Sequence, residues 1–123
     1  MPTVAEDEAE RLGISPAMRA CIEATSACYM VCTTTLNYSL NGGGHLADED
    51  LIRALIDSGE VLQATQNAML RTSGLSLMLA AVCVECCETV AENCRRIDGS
   101  DEQLTECAEA CEHTANCCRQ LAV

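Results

Sequence analysis

The sequence predicts an all-α fold, an antiparallel up-and-down four-helix bundle with a thiol-lined core. Four long segments carry apolar or cysteine residues at alternating steps of three and four positions, which is the period of a helix. No segment of useful length alternates apolar and polar residues as a half-buried strand would. The breaks between the segments are short, so consecutive helices are expected to lie antiparallel beside one another.

The chain is predicted to form one domain preceded by a short arm. Its 123 residues are the size of a single compact unit and leave no room for two full cores. The bundle is expected over residues 15–123 and the arm over residues 1–14, within which residues 4–12 can form a short helix. With no Phe or Trp and only 2 Tyr, ordinary aromatic packing cannot fill the interior.

The first and second long helices have clear start signals. Ser15 followed by Pro16 is typical of an N-cap with proline at the first helical position, and it predicts a helix over residues 16–40 that Asn and a run of Gly end. Asp48 is predicted to cap a second helix over residues 48–71, with two acidic residues favourably placed at its positive end.

The third and fourth helices follow with similar signals. The third is predicted over residues 75–97, because two Arg lie in its last turn and Gly99 comes just beyond it. Ser100 and Gln103 have the spacing of a capping box, which predicts that the fourth helix begins there and extends over residues 101–121.

Each helix presents one narrow inward stripe, which we call its seam. The seams of the first, third and fourth helices are rich in cysteine, whereas the second seam has none. Cys86 and Cys117 are rotated ~100° from their seams and are equally compatible with metal ligation and with packing. The other nine of the 11 cysteines are the seam cysteines: Cys21, Cys28, Cys32, Cys83, Cys87, Cys94, Cys107, Cys111 and Cys118.

The spacing of the seam cysteines predicts a metal site. Cysteines four residues apart on a helix place two sulfur atoms one turn apart, where both can bind one soft, low-coordinate Cu(I) ion. Zinc prefers four tetrahedral ligands, often from cysteines three residues apart, and only Cys83 and Cys86 have that spacing. An iron–sulfur cluster, a zinc site and a metal-free bundle that buries thiols as small apolar groups remain alternatives.

Two further residues are candidate metal ligands. His113 lies off the seam of the fourth helix, so a surface histidine is favoured over a ligand. Met69 lies on the second seam, where a thioether more often fills a gap in the core than binds metal.

Composition restricts the partners and the compartment. The 19 acidic and 7 basic residues give a formal charge of −12, which disfavours binding to nucleic acid and to anionic membranes. The N-terminus lacks the pattern of a signal peptide, so a reducing cytoplasm is predicted. No catalytic triad or carboxylate-metal motif is evident, so no enzymatic activity is predicted. The apolar residues Ile52, Ile56 and Tyr38 favour a homo-oligomer.

Three segments carry a resemblance to a known family. CIEATSACYMVC (21–32), CVECCETVAENC (83–94) and CAEACEHTANCCRQLA (107–122) are similar to the cysteine-rich four-helix bundles of the bacterial copper storage protein family. The resemblance implies that the nine seam cysteines bind several Cu(I) ions along the core. It also implies a cytosolic reservoir for copper rather than an enzyme, with a copper chaperone as a candidate delivery partner.

The chain departs from the fuller cysteine pattern of that family at several seam positions. The missing cysteines predict a reduced copper capacity and one apolar side of the core. The leading hypothesis is therefore cytoplasmic Cu(I) storage of reduced capacity, with proton release as thiols become thiolates on binding. The positions where the resemblance leads one to expect cysteine are Thr25, Ser58, Leu62, Ala80, Val90 and Thr114.

Overall fold

The computed structural model, which describes residues 4–121, consists of helices joined by short connections. Within those residues there is no strand, and the four long helices are found where the sequence predicts them. The first three residues of the predicted arm and the last two of the predicted bundle lie outside the described range. The five α-helices are α1 (Glu6–Arg11), α2 (Pro16–Gly42), α3 (Glu49–Leu70), α4 (Ser76–Ile97) and α5 (Glu102–Leu121), with a 3₁₀ turn at Gly44–Leu46.

The four long helices form a closed square bundle. Each of α2, α3 and α4 packs against the next helix in the chain, and α5 packs back against α2. The diagonal pairs are therefore α2 with α4 and α3 with α5. The three cysteine-bearing helices, α2, α4 and α5, line three sides of the interior, and α3 supplies the fourth.

Two of the predicted helix caps are confirmed. The backbone amide of Met18 donates to Ser15 Oγ at 3.1 Å, and the amide of Leu51 donates to Asp48 Oδ2 at 3.0 Å. Each bond satisfies one of the amides that the first turn of a helix leaves without a partner. The glycine run also ends the helix as predicted, although α2 continues to Gly42. Gly43 is its C-cap, and its φ of 62° favours glycine.

The predicted capping box at the start of the last helix is wrong. Asp101 caps α5 instead, since its Oδ1 accepts a hydrogen bond from the Leu104 amide at 2.9 Å. The Ser100 hydroxyl donates to Asp98 Oδ1 at 2.7 Å, in a local turn that competes with capping. Gln103 points inward and donates to Thr35 Oγ1 at 2.9 Å, so it joins α5 to α2.

Helix α3 forms the apolar wall of the core. Its seam residues Leu51, Leu55, Leu62 and Met69 are at most 2% exposed. The hydroxyl groups on the same seam bond to backbone: Thr65 Oγ1 donates to the Val61 carbonyl at 2.7 Å. This wall supplies the apolar burial that the cysteine-rich seams provide only weakly.

The substitution Leu62→Ala is expected to destabilise the reduced, metal-free bundle by about 2–5 kcal/mol, because it leaves a cavity beside the thiols. The matched control is Leu70→Ala on the same helix, which truncates a leucine that is 40% exposed and is expected to cost about 0.5 kcal/mol or less. Urea unfolding followed by circular dichroism measures both. Equal losses for the two variants would contradict the assignment of the wall.

Candidate metal centre

The nine seam cysteines form one buried column inside the bundle. All nine are at most 1% exposed, as their predicted phase on the helices requires. They come from α2, α4 and α5, three from each helix. All 11 cysteines are free thiols, and the two off-seam residues, Cys86 and Cys117, are half-buried.

Three sulfur atoms meet at the centre of the column. Cys28 Sγ lies 3.9 Å from Cys32 Sγ, one turn further along α2. Cys111 Sγ of α5 lies 3.7 Å from each of them. The pair that the sequence places on one helix is thus completed by a thiol from a neighbouring helix.

Besides this central trio, two groups of three thiols have the geometry to hold one metal ion each. In the first group, Cys28, Cys87 and Cys111 bring sulfur atoms from α2, α4 and α5 within 4.8 Å of one another. In the second group, the sulfur atoms of Cys32, Cys107 and Cys111 also lie within 4.8 Å of one another, and they come from α2 and α5. Cys111 belongs to both groups, so its sulfur can bridge two neighbouring ions.

Further thiols extend the column in both directions. At one end, the Cys118 thiol interacts with those of Cys21 and Cys83. At the other end, the Cys94 thiol interacts with that of Cys107. Each of the nine thiols therefore has another thiol as a neighbour.

Interactions among the neighbouring thiols shift their acidity in opposite directions. Hydrogen bonding with Cys21 and Cys83 lowers the pKa of Cys118 to about 4. Hydrogen bonding with neighbouring thiols also lowers the pKa of Cys28 and Cys107. Hydrogen bonding with neighbouring thiols, reinforced by burial, raises the pKa of the remaining shifted thiols in the column: Cys21, Cys32, Cys83, Cys94 and Cys111.

The positions where cysteine was expected by resemblance are filled by well-packed residues. Thr25 Oγ1 donates to the Cys21 carbonyl at 2.8 Å, and Thr114 Oγ1 donates to the Ala110 carbonyl at 2.9 Å. Ser58 Oγ donates to the Cys86 carbonyl at 3.3 Å. The other three are buried apolar side chains: Leu62, Ala80 and Val90. These residues interrupt the run of seam cysteines without leaving their own polar groups unsatisfied.

The additional candidate ligands lie in different surroundings. Met69 is fully buried in the wall formed by α3. Cys86 borders a surface groove with acidic and hydroxyl side chains. His113 is exposed, and its Nε2 lies 3.7 Å from Cys117 Sγ, one turn further along α5. This pair was not predicted from the sequence, although the spacing of four residues between His113 and Cys117 indicates it.

Comparison with known proteins agrees with this geometry. The sequence profile described as "Copper storage protein" matches residues 15–123. The chain belongs to the copper storage protein family. No curated protein matches it by sequence. Within residues 4–121, none of the helices combines the length and apolar character that crossing a bilayer requires.

Several solved structures resemble the bundle. The Nmul_A1745 protein of Nitrosospira multiformis is 33% identical, with a TM-score of 0.78 over 86% of this chain and 94% of that one. The copper storage protein Ccsp of Streptomyces lividans, loaded with 10 copper equivalents, is 29% identical, with a TM-score of 0.80 over 89% and 86%. Cu(I)-bound BsCsp3 is 25% identical, with a TM-score of 0.81 over 87% and 99%. The predicted four-helix bundle and the family resemblance are confirmed.

Proposed function

We propose that this protein stores Cu(I) in the cytoplasm through the nine seam cysteines. The observation that carries the proposal is the buried thiol column, with two three-sulfur groups that share Cys111. Soft thiolate ligands favour soft ions such as Cu(I) over hard cations. The copper-loaded relatives from Streptomyces lividans support the same cargo.

The number of thiols in each group favours low-coordinate Cu(I) over zinc, and their spacing is compatible with it. Three sulfurs around one ion at a metal–sulfur distance of about 2.3 Å are about 4 Å apart, close to the 3.7–3.9 Å separations at the centre of the column. Each group offers three thiols, whereas a structural zinc site needs four ligands.

Storage rather than catalysis is the role that this arrangement supports. The thiols are buried, and ion binding replaces their protons without requiring any substrate besides the metal. Because six seam positions lack cysteine, the Cu(I) capacity should be lower than that of a bundle with cysteine on every seam. A copper chaperone is the proposed source of the ion in a cytoplasm with little free copper.

Self-association is proposed from the exposed apolar side chains. Leu75, Leu77 and Met78 at the start of α4 are between 54% and 66% exposed, and Ile56 and Tyr38 are also exposed. Apolar surface of this kind is commonly covered by another subunit. Sedimentation equilibrium of the apo protein tests this, and a monomer at all concentrations would contradict it.

An anaerobic Cu(I) titration against a competing chromophoric chelator tests the proposed function. We expect several Cu(I) equivalents per chain to be withdrawn from the chelator, with the thiols protected from a thiol reagent. Because most shifted column thiols have raised pKa values and are protonated near neutral pH, uptake should release protons, and affinity should rise with pH. Iron and sulfide are assayed in the purified protein alongside.

Two results would count against copper storage. If the reduced protein fails to compete with the chelator, Cu(I) is not its cargo. If the purified protein contains iron and sulfide, the iron–sulfur alternative is favoured instead.

A further inference from the structure

A groove on the side of the bundle has a residue of the thiol column in its lining. It lies between α2 and α5 and has a volume of about 290 Å³. Cys28, a member of the central three-sulfur group, contributes to its lining, and His113 and Cys117 lie along it. Small side chains keep it open, since four alanines line it: Ala20, Ala24, Ala27 and Ala110.

His113 and Cys117 form a pair of soft ligands at this groove. His113 Nε2 and Cys117 Sγ are 3.7 Å apart, on adjacent turns of α5. Metal–nitrogen and metal–sulfur bonds of about 2.0 and 2.3 Å together exceed that separation, so one ion can contact both atoms without backbone movement. His113 is exposed and Cys117 is half-buried, so the pair is accessible to an incoming ion.

The other off-seam cysteine provides a contrast within the same chain. Cys86 is also half-buried and also precedes a column cysteine. Its groove is lined by two carboxylates, those of Asp57 and Glu85, and by no imidazole. The groove of Cys117 has one carboxylate, that of Glu23, beside the His113 imidazole. Soft ions prefer sulfur and imidazole nitrogen, so the two half-buried cysteines differ in the chemistry that surrounds them.

We propose that His113 and Cys117 form a surface Cu(I) site from which the ion enters the column at Cys28 through the alanine-lined groove. This inference rests on the proposed function and deepens it, because it names the entry site of the store. The ion stays Cu(I) throughout. Its bonds to His113 Nε2 and Cys117 Sγ break as bonds to Cys28 and Cys111 form. The protons displaced from core thiols pass to water in the groove, and Cys117 takes a proton from water.

The test is the rate of Cu(I) uptake by the full-length reduced protein, followed anaerobically by stopped flow with a chromophoric Cu(I)–chelator complex as donor. Cys117→Ser and His113→Gln remove one ligand each, and Ala27→Leu narrows the groove at an exposed position. Each is expected to slow loading about tenfold: the ligand variants because a second ligand on the adjacent turn acts at high effective concentration, and Ala27→Leu because the larger side chain obstructs the groove. Cys86→Ser is the matched control and should load at the wild-type rate.

Final capacity and a rescue variant separate this site from the store itself. The slowed variants should still reach the wild-type number of copper equivalents to within one, and His113→Cys, which keeps a soft ligand, should retain rapid loading. If the Cys117→Ser and His113→Gln variants load as fast as Cys86→Ser, the proposed entry site is wrong, whereas the proposed storage function stands. A wild-type protein that takes no Cu(I) from the chelator would overturn both proposals.

Discussion

Cys111→Ser is expected to lower the Cu(I) capacity more than substitution of a thiol at the end of the column. Its sulfur belongs to both three-thiol groups, so its loss leaves each group with two ligands. Serine is similar in size, but its hydroxyl oxygen is a hard ligand that binds Cu(I) poorly. The two thiols left in each group should hold their ion more weakly than three, so we expect about two equivalents per chain to be lost to the competing chelator. The anaerobic chelator titration, repeated on the variant, measures this loss.

Cys21→Ser is the control for that experiment. Cys21 is equally buried, but it lies at the end of the column and hydrogen-bonds with Cys118. Its substitution should cost at most about one equivalent, since it belongs to neither three-thiol group. Equal losses for the two variants would show that Cys111 does not bridge two ions.

Copper loading is expected to raise the stability of the bundle strongly. Each site saturated at a thousandfold excess over its dissociation constant adds about 4 kcal/mol to the free energy of unfolding, and several sites act together. Binding also replaces protons on buried thiols with ions that join α2, α4 and α5. Anaerobic thermal unfolding, followed by circular dichroism of the apo and loaded proteins, should show a large upward shift of Tm.

Removal of the metal provides the control for that shift. Withdrawal of Cu(I) by excess competing chelator should return Tm to the apo value, and loaded Cys111→Ser should show a smaller rise than the loaded wild type. An unchanged Tm after loading, with thiols still reactive, would mean that the ions bind outside the core.

Much of the fold could be predicted because its signals are local. The 3.6-residue period places Cys21, Cys28 and Cys32 on the same face of a helix regardless of what packs against that helix. The caps at Ser15 and Asp48 depend on a few neighbouring residues, and the structure confirms both. The predicted cap of α5 is wrong because two adjacent residues, Ser100 and Asp101, can both cap the helix. The Ser100 hydroxyl is hydrogen-bonded to Asp98, so Asp101 caps α5.

The candidate site was predictable only as a set of inward-facing thiols. The sequence by itself determined that α2, α4 and α5 would present cysteine and that α3 would present Leu and Met. It also carried the family resemblance, through the spacing of cysteines within each helix. The assignment of the nine seam cysteines as ligands stays a prediction until the titrations are done.

Only the tertiary structure decided which thiols can share an ion. The placement of Cys111 between Cys28 and Cys32 depends on the rotation and axial offset of α5 against α2, and these result from packing across the whole bundle. The groove that leads from His113 to Cys28 likewise exists only where alanines of two helices face each other. Helical periodicity fixes the face on which a residue lies, but contacts between faces depend on residues distant in the chain.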